Sequence, residues 1–249
     1  MRWHQYRLTM IPFFRKIRYQ LAKDNQFFKY SRYAIGEIVL VVVGILIALQ
    51  INNWNEQRKL KAREIQFLRQ MRSNLLEDMS DDYPIRIYEK SIEASQIVIS
   101  SLENCDSSID SLNYYFGWIP AYTFYMTNTT AYENLKATGF DIISSDSLRE
   151  RYQTLYRFNY KFLDLQSNSI AIKRADELKE YFMEYFSDFQ SLKNATPLDF
   201  ENLCKNHKFI ELIKFNRNEK LNRLEWIHNT RKEIQSIVDM IDAEIKANS

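Results

Sequence analysis

From position 38 to position 49 every residue is apolar or glycine, IVLVVVGILIAL. Uncharged sequence continues beyond it to Asn55. Taken over residues 33–51, a helix of 19 residues spans about 28 Å, close to the thickness of a bilayer's hydrocarbon layer. Tyr33 and Trp54 stand at the two ends, where amphipathic rings favour the interface. The apolar core alone, 12 residues, also suits a buried helix of a soluble protein or the core of a cleaved signal. No small-x-small cleavage site follows it, because Ala48-Leu49-Gln50 ends in a large polar residue. The reading is therefore an uncleaved signal-anchor over residues 33–54. Gly36, Leu40, Gly44 and Ala48 recur every fourth residue and share one stripe of that helix, a packing face on which small residues admit a second helix. Glu37 lies one turn inside, within reach of the headgroup layer.

The rest of the pattern has helical spacing. Leu60, Ile65, Leu68, Leu75 and Met79 form one amphipathic face, broken by Pro84. Ile85, Tyr88, Ile92, Ser95, Ile99 and Leu102 form a second. Residues 103–129 read as irregular, with NCDSSIDS as a loop and Gly117 and Pro120 interrupting a run of aromatics. A short helix is expected over residues 131–138, capped by Gly139. Ser147 and Glu150 suggest a capping box that opens a helix running to about residue 189. Thr196-Pro197 looks like another helix start. A last long helix covers about residues 207–246, burying Leu221, Leu224, Ile227, Ile234, Val238, Ile241 and Ile245. The expected fold is all-α: a single N-terminal transmembrane helix followed by an antiparallel helical bundle. Three segments result: an arm (residues 1–32), the membrane helix (33–54) and a helical domain (55–249).

Composition supports this and adds polarity. Only 4 Gly and 4 Pro occur in 249 residues, which favours long helices over many short strands. Residues 1–51 carry a net charge of +6 and the remainder −4. The basic arm suits anionic lipid headgroups better than nucleic acid. Phe13, Ile17 and Leu21 share a helical face within it; a basic amphipathic helix and a plain basic tail are both open readings. Few acids lie before residue 33, which places the N-terminus in the cytoplasm and the large domain outside, in the periplasm, of an inner (cytoplasmic) membrane.

Chemistry is sparse. His4, His207 and His228 lack ligand-spaced partners, so no metal is expected, and no cofactor either. P-loop, GxGxxG and GxSxG motifs are absent. Tyr152, Tyr156, Tyr160, Tyr181 and Tyr185 read as core. Cys105 and Cys204 are the only cysteines; outside the cytoplasm they are permitted to bridge, with two free buried thiols as the default. Trp118, Tyr122, Phe124 and Tyr125 stand as a candidate ligand or partner surface, or else as a plug closing the bundle.

Residues 13–18 (FFRKIR), 34–38 (AIGEI) and 49–55 (LQINNWN) resemble the opening of a family of single-span bacterial membrane proteins, domain of unknown function 6090. Tyr132-xx-Leu135-xx-Thr138-Gly139 resembles a later motif of that family. The resemblance implies an envelope protein of Bacteroidota-type bacteria, with Met10 at the usual start, and implies no activity. The functional expectation is a non-enzymatic interaction or assembly protein, with the lipid bilayer and a protein partner or second copy as its contacts and no nucleic acid. The alternative is an extracytoplasmic helical sensor, which would show a formed pocket around residues 118–125.

Overall fold

The computed structural model describes residue 19, residues 27–165 and residues 171–248, and the chain divides into two compact units, residues 1–61 and 62–249. The arm residues Phe13, Ile17 and Leu21 lie outside the described residues.

Helix α1 (Phe27–Ser80) enters both units. In the first unit every residue from 35 to 54 is exposed, although nearly all of them are apolar. Among the described residues, this is the one stretch long and apolar enough to cross a membrane. After it the surface turns polar: Arg58 lies 5.4 Å over the Trp54 ring, and Lys59 pairs with Glu56 at 2.9 Å.

Among the described residues the second unit is helical apart from its connecting loops and one hairpin. The end of α1 contributes Glu64, Leu68, Met71, Leu75 and Asp78, buried at alternating steps of four and three residues. Asp82 then opens α2 (Tyr83–Asn104), with Pro84 in the first turn where its missing N–H costs nothing. Cys105, in the left-handed region at φ 50°, closes α2. There follow α3 (Leu112–Trp118), α4 (Thr130–Thr138), α5 (Asp146–Thr154), a π-helical turn (Leu155–Tyr160), α6 (Lys161–Leu165) and α7 (Ala171–Tyr185). Strands β1 (Phe186–Gln190) and β2 (Asn194–Pro197) pair antiparallel. Helices α8 (Phe200–Cys204) and α9 (His207–Ala247) complete the unit.

Helix α9 packs chiefly against α2. The polar pairings Tyr88 to Arg223, Ser91 to Lys220 and Glu103 to Lys214 run in opposite chain directions, so the two helices are antiparallel. Two apolar cores flank this pair. The first holds Tyr88, Tyr125, Tyr152, Tyr156 and Tyr160 among aliphatics such as Leu68, Leu75, Ile234 and Ile241. The second holds Phe116, Phe182, Phe186 and Phe209 among Val98, Leu102, Leu178 and Ile213.

The fold is all-α, and several local expectations are corrected. Residues 103–129 are not irregular throughout, since α3 forms there, and Gly117 within it allows β2 to touch its backbone. A Cβ at Gly117 would stand 2.5 Å from the Asn194 nitrogen. The helix expected to run to residue 189 is interrupted. Its turn widens at residues 155–160, and residues 186–190 become a strand because the chain reverses through Leu192 at φ 65°. No Gly or Pro marks that reversal. Thr196-Pro197 ends β2 rather than starting a helix; Asp199 caps α8, accepting from the Asn202 N–H at 3.0 Å. Ser145, not Ser147, caps α5. Leu60 and Leu221 are exposed rather than buried. Gly139 does end α4, at φ 107°, donating its N–H to the Leu135 carbonyl.

Candidate functional site

The buried face of α9 repeats a 3–4 spacing through Ile213, Asn216, Lys220, Arg223, Ile227, Thr230, Ile234, Ile237 and Ile241. Helical geometry therefore drives an amide, an ammonium and a guanidinium into the interior at consecutive seam positions. Each needs a partner there, because an unpaired buried charge is costly.

The structure supplies partners from α2 and the segment after α3. Lys220 Nζ donates to Ser91 Oγ at 2.7 Å and to the Ile119 carbonyl, and lies 4.6 Å from the Tyr122 ring centre. Ile119 caps the C-terminus of α3, where carbonyls carry the helix's partial negative charge. Ser91 Oγ also reaches the Trp118 carbonyl at 2.8 Å. Arg223 Nη1 donates to Tyr88 Oη at 2.9 Å, and Tyr88 Oη donates to the Thr123 carbonyl at 2.6 Å. Asn216 Nδ2 donates to Tyr122 Oη at 2.6 Å. Burial, and then the neighbouring Arg223 charge, hold the Lys220 amine well below the usual lysine range. At 1% exposure that amine meets protein rather than solvent, so the seam clamps residues 118–123 between α2 and α9.

A second polar node lies in the tyrosine core. Asp78, 4% exposed, accepts from the Asn128 N–H at 2.7 Å and from Tyr160 Oη at 2.6 Å. Its own carbonyl accepts from Tyr125 Oη at 3.1 Å, while Tyr156 Oη reaches the Asn128 carbonyl at 3.0 Å. Burial raises the Asp78 carboxyl above the ordinary range, against the lowering effect of the Tyr160 and Asn128 hydrogen bonds. The π-helical turn keeps Tyr152, Tyr156 and Tyr160 in a ladder, ring centres 4.9 Å apart at each step, with Tyr132 stacked on Tyr156 at 4.4 Å. Nearby, buried Glu64 accepts from both the N–H and the Oγ of Ser144, each at 2.6 Å.

The residues singled out from the sequence are scattered. Gly36, Leu40, Gly44 and Ala48 are exposed along α1, and a Cβ at Gly36 or Gly44 would meet nothing within 4 Å. Tyr33 and Trp54 are exposed, at 66% and 62%. Trp118, Tyr122, Phe124 and Tyr125 do not form one surface. Tyr125 is buried, Tyr122 lies beneath Lys220 and Arg223, Trp118 is half-buried beside Lys90, and Phe124 points outward. Cys105 and Cys204 are joined in a disulfide, Cα atoms 5.5 Å apart, that ties the end of α2 to the end of α8.

Sequence reasoning missed Lys220, Arg223, Asp78 and Glu64. The signal that finds the first two is the heptad frame of α9, which continues through them without a slip.

The Family of unknown function (DUF6090) matches residues 37–221, from the apolar stretch of α1 through the phenylalanine core to the first third of α9, Lys220 included. The chain belongs to DUF6090. No curated protein and no solved structure matches this DUF6090 member.

Proposed function

We propose that this chain is a membrane-anchored, non-enzymatic interaction or assembly protein of the bacterial cell envelope. It sits in the inner membrane with the N-terminus in the cytoplasm and the helical domain in the periplasm. The observation that carries the reading is the fully exposed apolar stretch of α1 with its small-residue stripe, in a chain whose second unit buries two apolar cores of its own. In a bilayer, helix association depends on close packing, which Gly44 and Ala48 permit. The Cys105–Cys204 bridge supports an oxidising compartment for the domain. Tyr125 is buried and Tyr122 packs beneath Lys220 and Arg223, which favours interaction over sensing at that segment.

Gly44→Leu with Ala48→Leu tests the reading. Among the described residues nothing lies within 4 Å of a Cβ at Gly44, so the larger side chain leaves the fold intact. Crosslinking in native membranes is expected to show an assembly that the double variant loses by at least tenfold. An assembly of unchanged yield refutes a role for this face, and its absence in the wild type refutes the interaction reading.

A further inference from the structure

The loop from Cys105 to Ser111 is built more firmly than a connection requires. The disulfide holds one end. Ser101 Oγ donates to the Asp106 carbonyl, the Asp106 N–H returns to the Ser101 carbonyl at 3.0 Å, and the Ser108 N–H reaches Asp106 Oδ1 at 2.9 Å. Non-glycine residues stand in the left-handed region at both ends, Cys105 at φ 50° and Ser111 at φ 65°. Such conformations are strained for residues with a side chain and persist where the surroundings enforce them. The fixed loop forms one side of an open groove of about 420 Å³, whose other sides are the end of β2 and Phe200 of α8.

The lining is chemically specific. Ser107, Ser108, Ser111 and Thr196 bring hydroxyls, Asn113 an amide and Asp110 a carboxylate. Asn113 Nδ2 is held by Thr196 Oγ1 at 3.3 Å, which fixes the amide across the groove. Phe200 and Pro197 bring apolar surface, and the Phe200 ring is partly seated on the phenylalanine core. Among the described residues no lysine, arginine or histidine lines the groove, so an anion finds no counter-charge from them. Several uncharged donors and acceptors beside an aromatic face match one class best: a ring with a hydroxylated rim and a C–H face.

We propose that this groove binds a neutral sugar unit, free or at the end of a glycan chain, with Asp110 and Asn113 hydrogen-bonding its hydroxyls and Phe200 against its C–H face. This goes beyond the interaction role proposed above and stands independently of it, since no residue of the α1 stripe lines the site.

The test uses the full chain in lipid nanodiscs, because sugar-headed detergents would compete. Saturation-transfer NMR and calorimetry are run with glucose, galactose, N-acetylglucosamine and the β-1,4-linked disaccharide and tetrasaccharide of the last. The expected result is binding of at least one probe at millimolar affinity or better. Asp110→Ala with Asn113→Ala should weaken it at least tenfold while Tm stays within about 2 °C. Stronger binding of the tetrasaccharide than of monosaccharides assigns a glycan chain, and equal binding assigns the free sugar. Failure of every probe to bind the folded wild type overturns the proposal, as does binding that the double variant leaves unchanged. If the double variant does not fold, Asp110→Ala alone, at an exposed position, decides the question by the same criterion.

Discussion

The two cores of the helical domain are built from different aromatics and are held by different means. In the first, Tyr88, Tyr125, Tyr156 and Tyr160 each bring a hydroxyl that must find a partner, and they find Thr123, Asp78 and Asn128. Those bonds are directional, so the core fixes register as well as burying area. In the second, Phe116, Phe182, Phe186 and Phe209 pack edge-to-face and stacked, with no hydroxyl to direct them. There register comes from outside the core: from the disulfide, from the β1–β2 hairpin, and from Gly117 against Asn194. Apolar packing sets how much is gained, and directional or covalent constraints set which arrangement gains it.

The comparison is broken most strongly by emptying the phenylalanine core. Phe209→Ala, at a position with no exposure, is expected to cost about 3–5 kcal/mol, read by denaturant unfolding of the full chain. Next is removal of the bridge. Cys105→Ser with Cys204→Ser opens a loop of 99-residue separation and should cost about 2–5 kcal/mol. Hydrogen exchange should rise first around α3, α8 and the hairpin, with the tyrosine core protected. Equal loss of protection in both cores would erase the distinction drawn here.

Tyr160→Phe makes the converse test. It leaves Asp78 Oδ2 without its donor and should cost about 1–3 kcal/mol with little change in volume. It should also alter the pH profile. Asp78 is raised in the folded state, so its contribution is present below about pH 4 and is lost as pH rises through the folded value. Removing the Tyr160 donor, which favours the charged form, moves that loss to higher pH.

The smallest expected effect is at the seam between the cores. Lys220 is depressed in the folded state, so the unfolded chain binds more protons. Stability should therefore rise with pH through the folded value, up to about 10.4. Lys220→Met should change stability at neutral pH by about 1 kcal/mol and flatten that rise, since replacing a buried charge by an apolar chain of similar length is often nearly neutral.

Much of this was legible in the sequence and some was not, for physical reasons. The apolar stretch long enough to cross a membrane, the break at Pro84, the cap at Gly139 and the extent of α9 follow from hydrophobic runs and from residues with restricted or permissive backbones. The hairpin at residues 186–197 was hidden because its reversal uses Leu192, a residue with no turn preference. The π-helical turn was hidden because a four-residue tyrosine spacing suits an α-helix equally well. Lys220 and Arg223 were overlooked because charge ordinarily marks the solvent face, whereas here the heptad frame overrides it. Family membership was readable from the sequence around residues 34–55, and the family match extends it through residue 221.

The central claim is that the exposed stretch of α1 and the filled domain serve assembly. Native mass spectrometry of the wild-type chain, extracted gently from the cells that make it, tests this most directly. The account predicts a defined complex, either with another envelope protein or between copies of this chain. A bare monomer, folded and with its disulfide intact, would contradict it.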